Sequence, residues 1–352
     1  MVGGRVIKRN LLSPDRKRGP GGAPRLEVLR AAGERSKSSQ PERGSHAKRN
    51  GTTGVSQLSN RRRALIIFNP SAGARRRQRL APMLKAMEEL GVEPILLETE
   101  RPGDAERFAR EADPASLDLV AVAGGDGTVN EVINGLVDKP LPLAVLPVGT
   151  ANVLAIELGI RQEPNEVARM VAFGEPRPIA LGRVNRERRF VLMVGAGFDA
   201  RVVSEVSLAL KRRFGKLAYL AAFLHQMFAF RFPTYEVEVD GVTWRAGSVV
   251  VTNARHYGGD HVIAPAADLE APSVEVCLFQ NTGRLAVLGY GLALVVGRLP
   301  ELRSVKVISG ARRILIRGLE PEPVQGDGDQ IGALPVEIDV LPGALRLVYP
   351  PA

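Results

Sequence analysis

The chain has 352 residues, 45% hydrophobic and 24% charged, a soluble globular composition with room for two domains and a tail. Its one cysteine, Cys277, excludes an internal disulfide, and His46, His225, His256 and His261 show no metal-ligand spacing with it, so no zinc site is expected. The net charge of +10 is local: residues 1–63 hold 16 Lys and Arg against 4 Asp and Glu, and the remainder holds 32 against 34.

Residues 1–61 read as a disordered basic tail, rich in Gly, Ser, Pro and Arg and without the aromatic residues or sustained period that a core needs. No apolar stretch follows the first basic residues, as a secretory signal requires. Charge alone allows this tail to be drawn to an anionic membrane surface or to nucleic acid.

Folding begins at Ala64. Ala64–Phe68 predicts a strand, residues 69–73 (NPSAG) a turn, and the spacing of Leu80, Met83, Leu84, Met87 and Leu90 an amphipathic helix. Arg75, Arg76, Arg77 and Arg79 crowd the start of that helix, where the dipole disfavours cations, so either an anion lies nearby or the face is simply solvated. Ile95–Glu98 reads as a strand and Ala105–Glu111 as a helix opened by Asp104. Leu119–Ala123 is an apolar run of the kind that is buried on both faces of a parallel sheet. It ends in Gly124-Gly125-Asp126-Gly127-Thr128. Thr128 with Glu131 fits a capping box, which places a helix directly after Gly127, with Val129, Val132, Ile133 and Leu136 on its apolar stripe. A fourth strand, Leu143–Leu146, ends in PVGTAN at 147–152. Strands alternating with helices imply a doubly wound α/β sheet, whose ligands sit outside the carboxyl ends of the strands. A glycine turn at a helix N-terminus suits phosphate, and Asp126 within it suits a bridging cation or a ribose hydroxyl.

From about residue 177 the pattern changes to short alternating strands. Tyr235–Val239, the hairpin signal Asp240-Gly241, Thr243–Thr252, Val274–Phe279, Val305–Ile308, Arg312–Ile316 and Pro335–Val340 read as an antiparallel β domain. It is interrupted by a helical pair at about 199–230 and a helix at about 284–297. The apolar helix 217–230 reads as core, with an apolar surface offered to lipid as the alternative. The longest apolar run, 285–297, is too short to span a bilayer.

NPSAG at 69–73, GGDGTVNEVING at 124–135 and PVGTANVLA at 147–155, in this order and spacing, resemble the catalytic domain of the diacylglycerol kinase and sphingosine kinase family of lipid kinases, in its soluble bacterial branch. GGDGT alone is shared with NAD kinases; the Asn-Pro turn and GTAN separate the lipid kinases from them. The resemblance continues through VGAGFDARV at 194–202, FGKLAYL at 214–220, TNARHYGG at 252–259, IAPAAD at 263–268 and Gly-Asp-Gly-Asp at 326–329.

The resemblance implies a doubly wound α/β nucleotide-binding domain at 62–175, completed by 343–352, and an antiparallel β-sandwich lipid-acceptor domain at 176–342, with the last strand, Leu345–Tyr349, returning to the first domain. It implies an ATP- and Mg²⁺-dependent kinase that phosphorylates a lipid alcohol, diacylglycerol giving phosphatidic acid, or else a sphingoid or other long-chain alcohol. A nucleotide- or lipid-binding member without turnover is the second class. By resemblance, the nucleotide contacts are Asn69, Gly73, Gly124, Gly125, Asp126, Gly127, Thr128, Glu131, Gly149, Thr150 and Asn152. Asp327 is the general base, and Asp329, where the family has Glu, supports it. Asp126 and Asp268 are metal candidates, although Ala271-Pro272 stands where the family has an Asp-Gly metal turn. The expected protein is cytoplasmic, contacts anionic membrane peripherally, takes no specific nucleic acid and is compatible with a homodimer.

Overall fold

A computed structural model describes residues 62–71, 74–205 and 216–351. The basic tail and Gly73 lie outside the described residues.

Strand β1 (Arg63–Phe68) is apolar at nearly every position because both of its faces are covered. It pairs in parallel with β2 (Glu93–Glu98) on one side and β3 (Leu119–Gly124) on the other, and β3 pairs with β4 (Leu143–Pro147). Alternate strand residues point opposite ways. Ile66, Phe68, Ala121 and Leu146 pack with helices α1 (Ala74–Glu89) and α5 (Pro164–Phe173) on one face. On the other face, Ile67, Val120, Val122 and Val145 pack with α2 (Asp104–Glu111) and α3 (Asp126–Gly135), while α4 (Val153–Glu157) follows β4. The doubly wound reading holds.

Two local readings change. Helix α3 starts two residues earlier than the capping box implied, with Gly125 as N-cap and no side-chain cap. Glu131 instead caps the neighbouring helix: its carboxylate accepts from Gly103 N at 3.0 Å and Ala105 N at 3.2 Å, satisfying orphan donors at the start of α2.

The second half begins with β5 (Glu175–Val184), β6 (Arg188–Phe190), β7 (Met193–Ala196), α6 (Phe198–Glu205) and α7 (Lys216–Ala229). Next come β8 (Tyr235–Val239), β9 (Val242–Ala246), β10 (Ser248–Thr252), β11 (His256–Tyr257), β12 (His261–Val262) and β13 (Val274–Phe279). Helix α8 (Arg284–Val295) precedes β14 (Val305–Ala311), β15 (Arg313–Arg317), β16 (Pro323–Gly326), β17 (Asp329–Ala333) and β18 (Val336–Tyr349). Asp240 (φ 47°) and Gly241 (φ 87°) make the expected tight hairpin between β8 and β9. The run 243–252, expected as one strand, is two: the chain breaks at Gly247 and β10 enters the other sheet.

One sheet runs β14-β13-β10-β7-β16-β17. Its inner face, including Val194, Val249, Val251, Val276 and Leu278, packs on Tyr235, Val237, Ile314, Ile316 and Ile338 of β8, β15 and β18, which makes the antiparallel sandwich. The expected last strand 345–349 is the second half of the continuous fourteen-residue β18. Its first half pairs with β15 and its end with β4 (Leu347↔Leu143), with an irregularity between Leu341 and Leu345 on its β5 side, so it carries the sandwich into the parallel sheet. Among the described residues no helix is long and apolar enough to cross a membrane.

Candidate active site at the mouth of the parallel sheet

The strand order β2-β1-β3-β4 reverses direction at β1, which makes a topological switch point between the carboxyl ends of β1 and β3. The turns after those strands meet there. Asn69 N donates to Ala123 O and Asn69 Nδ2 to Thr128 Oγ1, both at 2.9 Å, and Asn69 Oδ1 accepts from Ser71 N. The turn after β4 presses on both. A Cβ at Gly149 would lie 2.7 Å from Gly125 Cα and 2.9 Å from Gly124 O, so only glycine lets the turns approach this closely. Asn152 adopts φ 51°, a left-handed conformation that Asn tolerates, and donates Nδ2 to Gly149 O at 3.1 Å. Thr150 is exposed at the tip. Gly124 is packed against the Thr128 side chain, whereas Gly125 is extended (φ −95°) and open, with Arg76 Nη2 3.9 Å from a Cβ position.

Two of the four α1 arginines settle on these turns. Arg76 donates to Asn69 O at 3.3 Å and Arg79 to Gly149 O at 3.4 Å, whereas Arg77 forks onto Glu98 and Arg75 is exposed. Burial first, and the Arg79 charge second, lower the Arg76 pKa. Two cations held together against open backbone turns are an arrangement that an anion relieves.

The two acids of the β16–β17 turn have unlike settings. Asp327 (φ 49°) and Gly328 (φ 84°) form the tight turn. The Asp327 carboxylate is buried and accepts from four donors: Leu192 N and Met193 N on Oδ1, each at 2.9 Å, and Val191 N at 3.0 Å and Asn130 Nδ2 at 2.7 Å on Oδ2. Burial pushes its pKa up, and the four donors pull the other way. A carboxylate has about four lone-pair sites, so none remains for a substrate hydroxyl. Asp329 is only half-buried and faces a cleft of about 610 Å³, with Oδ2 2.6 Å from where a Gly127 Cβ would be. The shortened side chain still reaches the glycine turn. Beneath it, Gly328 N donates to Gln325 Oε1, Gln325 Nε2 to Asp199 Oδ2 and Tyr257 OH to Asp199 Oδ1, which fixes the turn from below.

Residues that sequence reasoning missed line the same cleft. Asn130 and Asn134 are one turn apart on α3. Asn130 Oδ1 accepts from Arg188 Nη2 at 2.9 Å, and Asn134 Oδ1 accepts from Arg189 N at 3.0 Å. Arg188 also pairs with Glu106 at 2.9 Å. Two asparagines at i, i+4 beside the buried stripe were the available signal. Asp126, between Gly125 and Gly127 in the turn, opens α3 with Oδ1 3.4 Å from Leu154 N, whereas Asp268 lies elsewhere and lines a second cavity with Glu157, Arg255, Glu270 and Tyr349.

The family model of the diacylglycerol kinase catalytic domain matches residues 63–184, and that of the YegS C-terminal NAD kinase beta sandwich-like domain matches 192–349. "Diacylglycerol kinase" of Bacillus subtilis is 31% identical over 295 residues, covering 82% of this chain and 97% of that one. The chain belongs to this lipid kinase family. "Probable lipid kinase YegS-like" of Klebsiella pneumoniae is 29% identical over 293 residues, with 82% and 96% covered. A crystal structure of a diacylglycerol kinase from Bacillus anthracis shares the fold at TM-score 0.67 and 24% identity, covering 82% of this chain and 97% of that one. Kinase family membership implies use of ATP.

For this lipid kinase, the fit of Mg²⁺ rests on donor chemistry. Among the described residues no group of three His, Cys, Asp or Glu is arranged to hold a metal ion, so a cage around Asp268 has no support. Mg²⁺ that accompanies a nucleotide needs only one or two carboxylates beside the phosphates, and Asp126, inside the glycine turn, would be the one to supply it.

Proposed function

We propose that this lipid kinase transfers the γ-phosphoryl group of Mg²⁺-ATP to the hydroxyl of diacylglycerol, giving phosphatidic acid, with Asp329 as general base. The observation that carries this reading is the approach of the Asp329 carboxylate to Gly127 in an open cleft, while Asp327 is fully engaged in the wall behind it. The N-terminal amides of α3 and the Arg76 guanidinium take the phosphates, whose remaining charge a bound Mg²⁺ would offset. Asp329 orients the acceptor hydroxyl and takes its proton as the oxygen bonds to the γ-phosphorus and the bond from that phosphorus to the β,γ-bridging oxygen breaks, with ADP as the leaving group. Residues 62–175 with 343–352 hold the nucleotide, and 176–342 the acceptor. The acceptor is that of the Bacillus subtilis relative, a diacylglycerol kinase. Because it resides in lipid, the enzyme works at a membrane surface from the cytoplasmic side.

Incubating the purified protein with ATP, Mg²⁺ and a total lipid extract, followed by mass spectrometry, should yield phosphatidic acid as the new phosphomonoester. A phosphorylated sphingoid base in its place would reassign the acceptor, and no new phosphomonoester would favour a binder without turnover.

Two substitutions test the phosphate end. The extended backbone and open surroundings at Gly125 accept a side chain, so Gly125→Val should fold normally. Its branched side chain would occupy the phosphate position, and ATP affinity in isothermal titration should fall at least about tenfold. Arg76→Ala removes a charge-assisted contact and should weaken ATP by about tenfold. Wild-type affinity in both variants would place the phosphates elsewhere.

A further inference from the structure

The apolar segment 217–230, read as core with a surface offered to lipid as the alternative, and the apolar run 285–297 fall on α7 and α8, where much of their apolar surface is exposed. Of the eleven large hydrophobics exposed among the described residues, seven belong to these helices and the residue after α8. Leu285 (85% exposed), Leu288, Leu292 (67%) and Val295 are spaced i, i+3, i+7, i+10, a single stripe along α8. Leu224 and Phe228 (74%) extend it from α7. The junction is fixed: Arg284 donates to Phe228 O at 3.2 Å and lies over the Phe228 ring, while Val287 packs on the cluster of Phe198, Met227 and Phe230 beneath. A helix that is apolar around most of its circumference needs an apolar partner, and α8 fully buries only Ala293, with Val287, Tyr290 and Leu294 half-buried against the core.

We propose that the α7–α8 face is the surface on which this kinase rests on an anionic bilayer, the stripe entering the interfacial region beside the basic residues Arg231 and Arg284. The proposal rests on the lipid kinase reading, since an acceptor held in a bilayer must be reached there. Charge and length favour this occupant. Neither helix carries an Asp or Glu, Arg284 begins α8, and Arg231, exposed, follows α7. Twelve residues cannot span a membrane, so α8 lies in the plane of the interface. A second copy docking here would bring Arg284 toward another basic edge with no acid on either helix. The tail, with an excess of 10 positive charges and no aromatic residues in 1–61, offers little apolar surface to cover the stripe, and the same bilayer attracts it.

Cys277 is buried and its thiol is pushed up to about 12, so a cysteine introduced in the full-length protein can be labelled selectively. Leu292→Cys carrying an environment-sensitive dye is mixed with vesicles of phosphatidylcholine and phosphatidylglycerol in about 0.5 M salt, where the Debye length of about 4 Å screens the tail. The emission should shift to the blue and be quenched by brominated acyl chains. Leu288→Glu/Leu292→Glu should lower vesicle binding by about tenfold or more and leave turnover on detergent-dispersed diacylglycerol at the wild-type level. Unchanged emission with vesicles, or equal vesicle binding by the double variant, would overturn the proposal. So would a blue shift that appears without vesicles and tracks a dimer in gel filtration, which would assign the face to a second copy. A wild type inactive on every lipid would instead remove the kinase reading, with the vesicle result still readable.

Discussion

Asp329→Asn should fold like the wild type, bind ATP with little change and lose about 10²–10⁴-fold in turnover, the usual contribution of a general base. Its side chain faces the cleft rather than the core, so an amide of the same size leaves the packing undisturbed. What it removes is the acceptor for the hydroxyl proton and one negative charge beside Gly127. Steady-state kinetics on detergent-dispersed diacylglycerol, with circular dichroism as the check on folding, measures the effect.

Asp327→Asn should fail differently. All four contacts of this carboxylate are N–H donors, three from the backbone of residues 191–193 and one from Asn130. An amide in either orientation turns its NH₂ group onto two of those donors and leaves them buried without an acceptor. Leaving such groups unmatched costs about 3–5 kcal/mol, a fall in melting temperature of roughly 10 °C for a domain of this size. Thermal unfolding followed by circular dichroism tests it. A variant that melts with the wild type yet is inactive would return the base role to Asp327, where the family resemblance first placed it.

The difference between these acids shows where sequence reasoning reached its limit. The parallel strands were legible because a run such as LVAVAG, apolar at every position, has few other solutions, and the glycine turns because they are local. The setting of Asp327 was not, since three of its donors come from residues about 135 positions earlier and depend on β16 pairing with β7, and the fourth, Asn130, is 197 positions earlier on α3. Asp-Gly-Asp read alone is a turn with two acids, and nothing in it says which one points inward. Glu131 misled for the same reason: its i−3 threonine suggested a local cap, but the unpaired amides it serves begin α2, 28 residues earlier. Strand β18 was read as two because Pro342 and Gly343 interrupt it, although pairing with β5 carries the strand through. The apolar content of 217–230 and 285–297 was visible, but its exposure was not, because a helix apolar on most sides looks the same whether a protein core or another apolar phase covers it.

The central claim is that the proton of the lipid hydroxyl passes to Asp329. The most direct measurement is the single-turnover rate of phosphoryl transfer from ATP to diacylglycerol in the wild type, Asp329→Asn and Asp329→Glu, each saturated with both substrates. The expected result is a rate at least about 100-fold lower in Asp329→Asn and substantial recovery in Asp329→Glu, which restores a carboxylate one methylene longer. Transfer by Asp329→Asn at the wild-type rate would contradict the assignment.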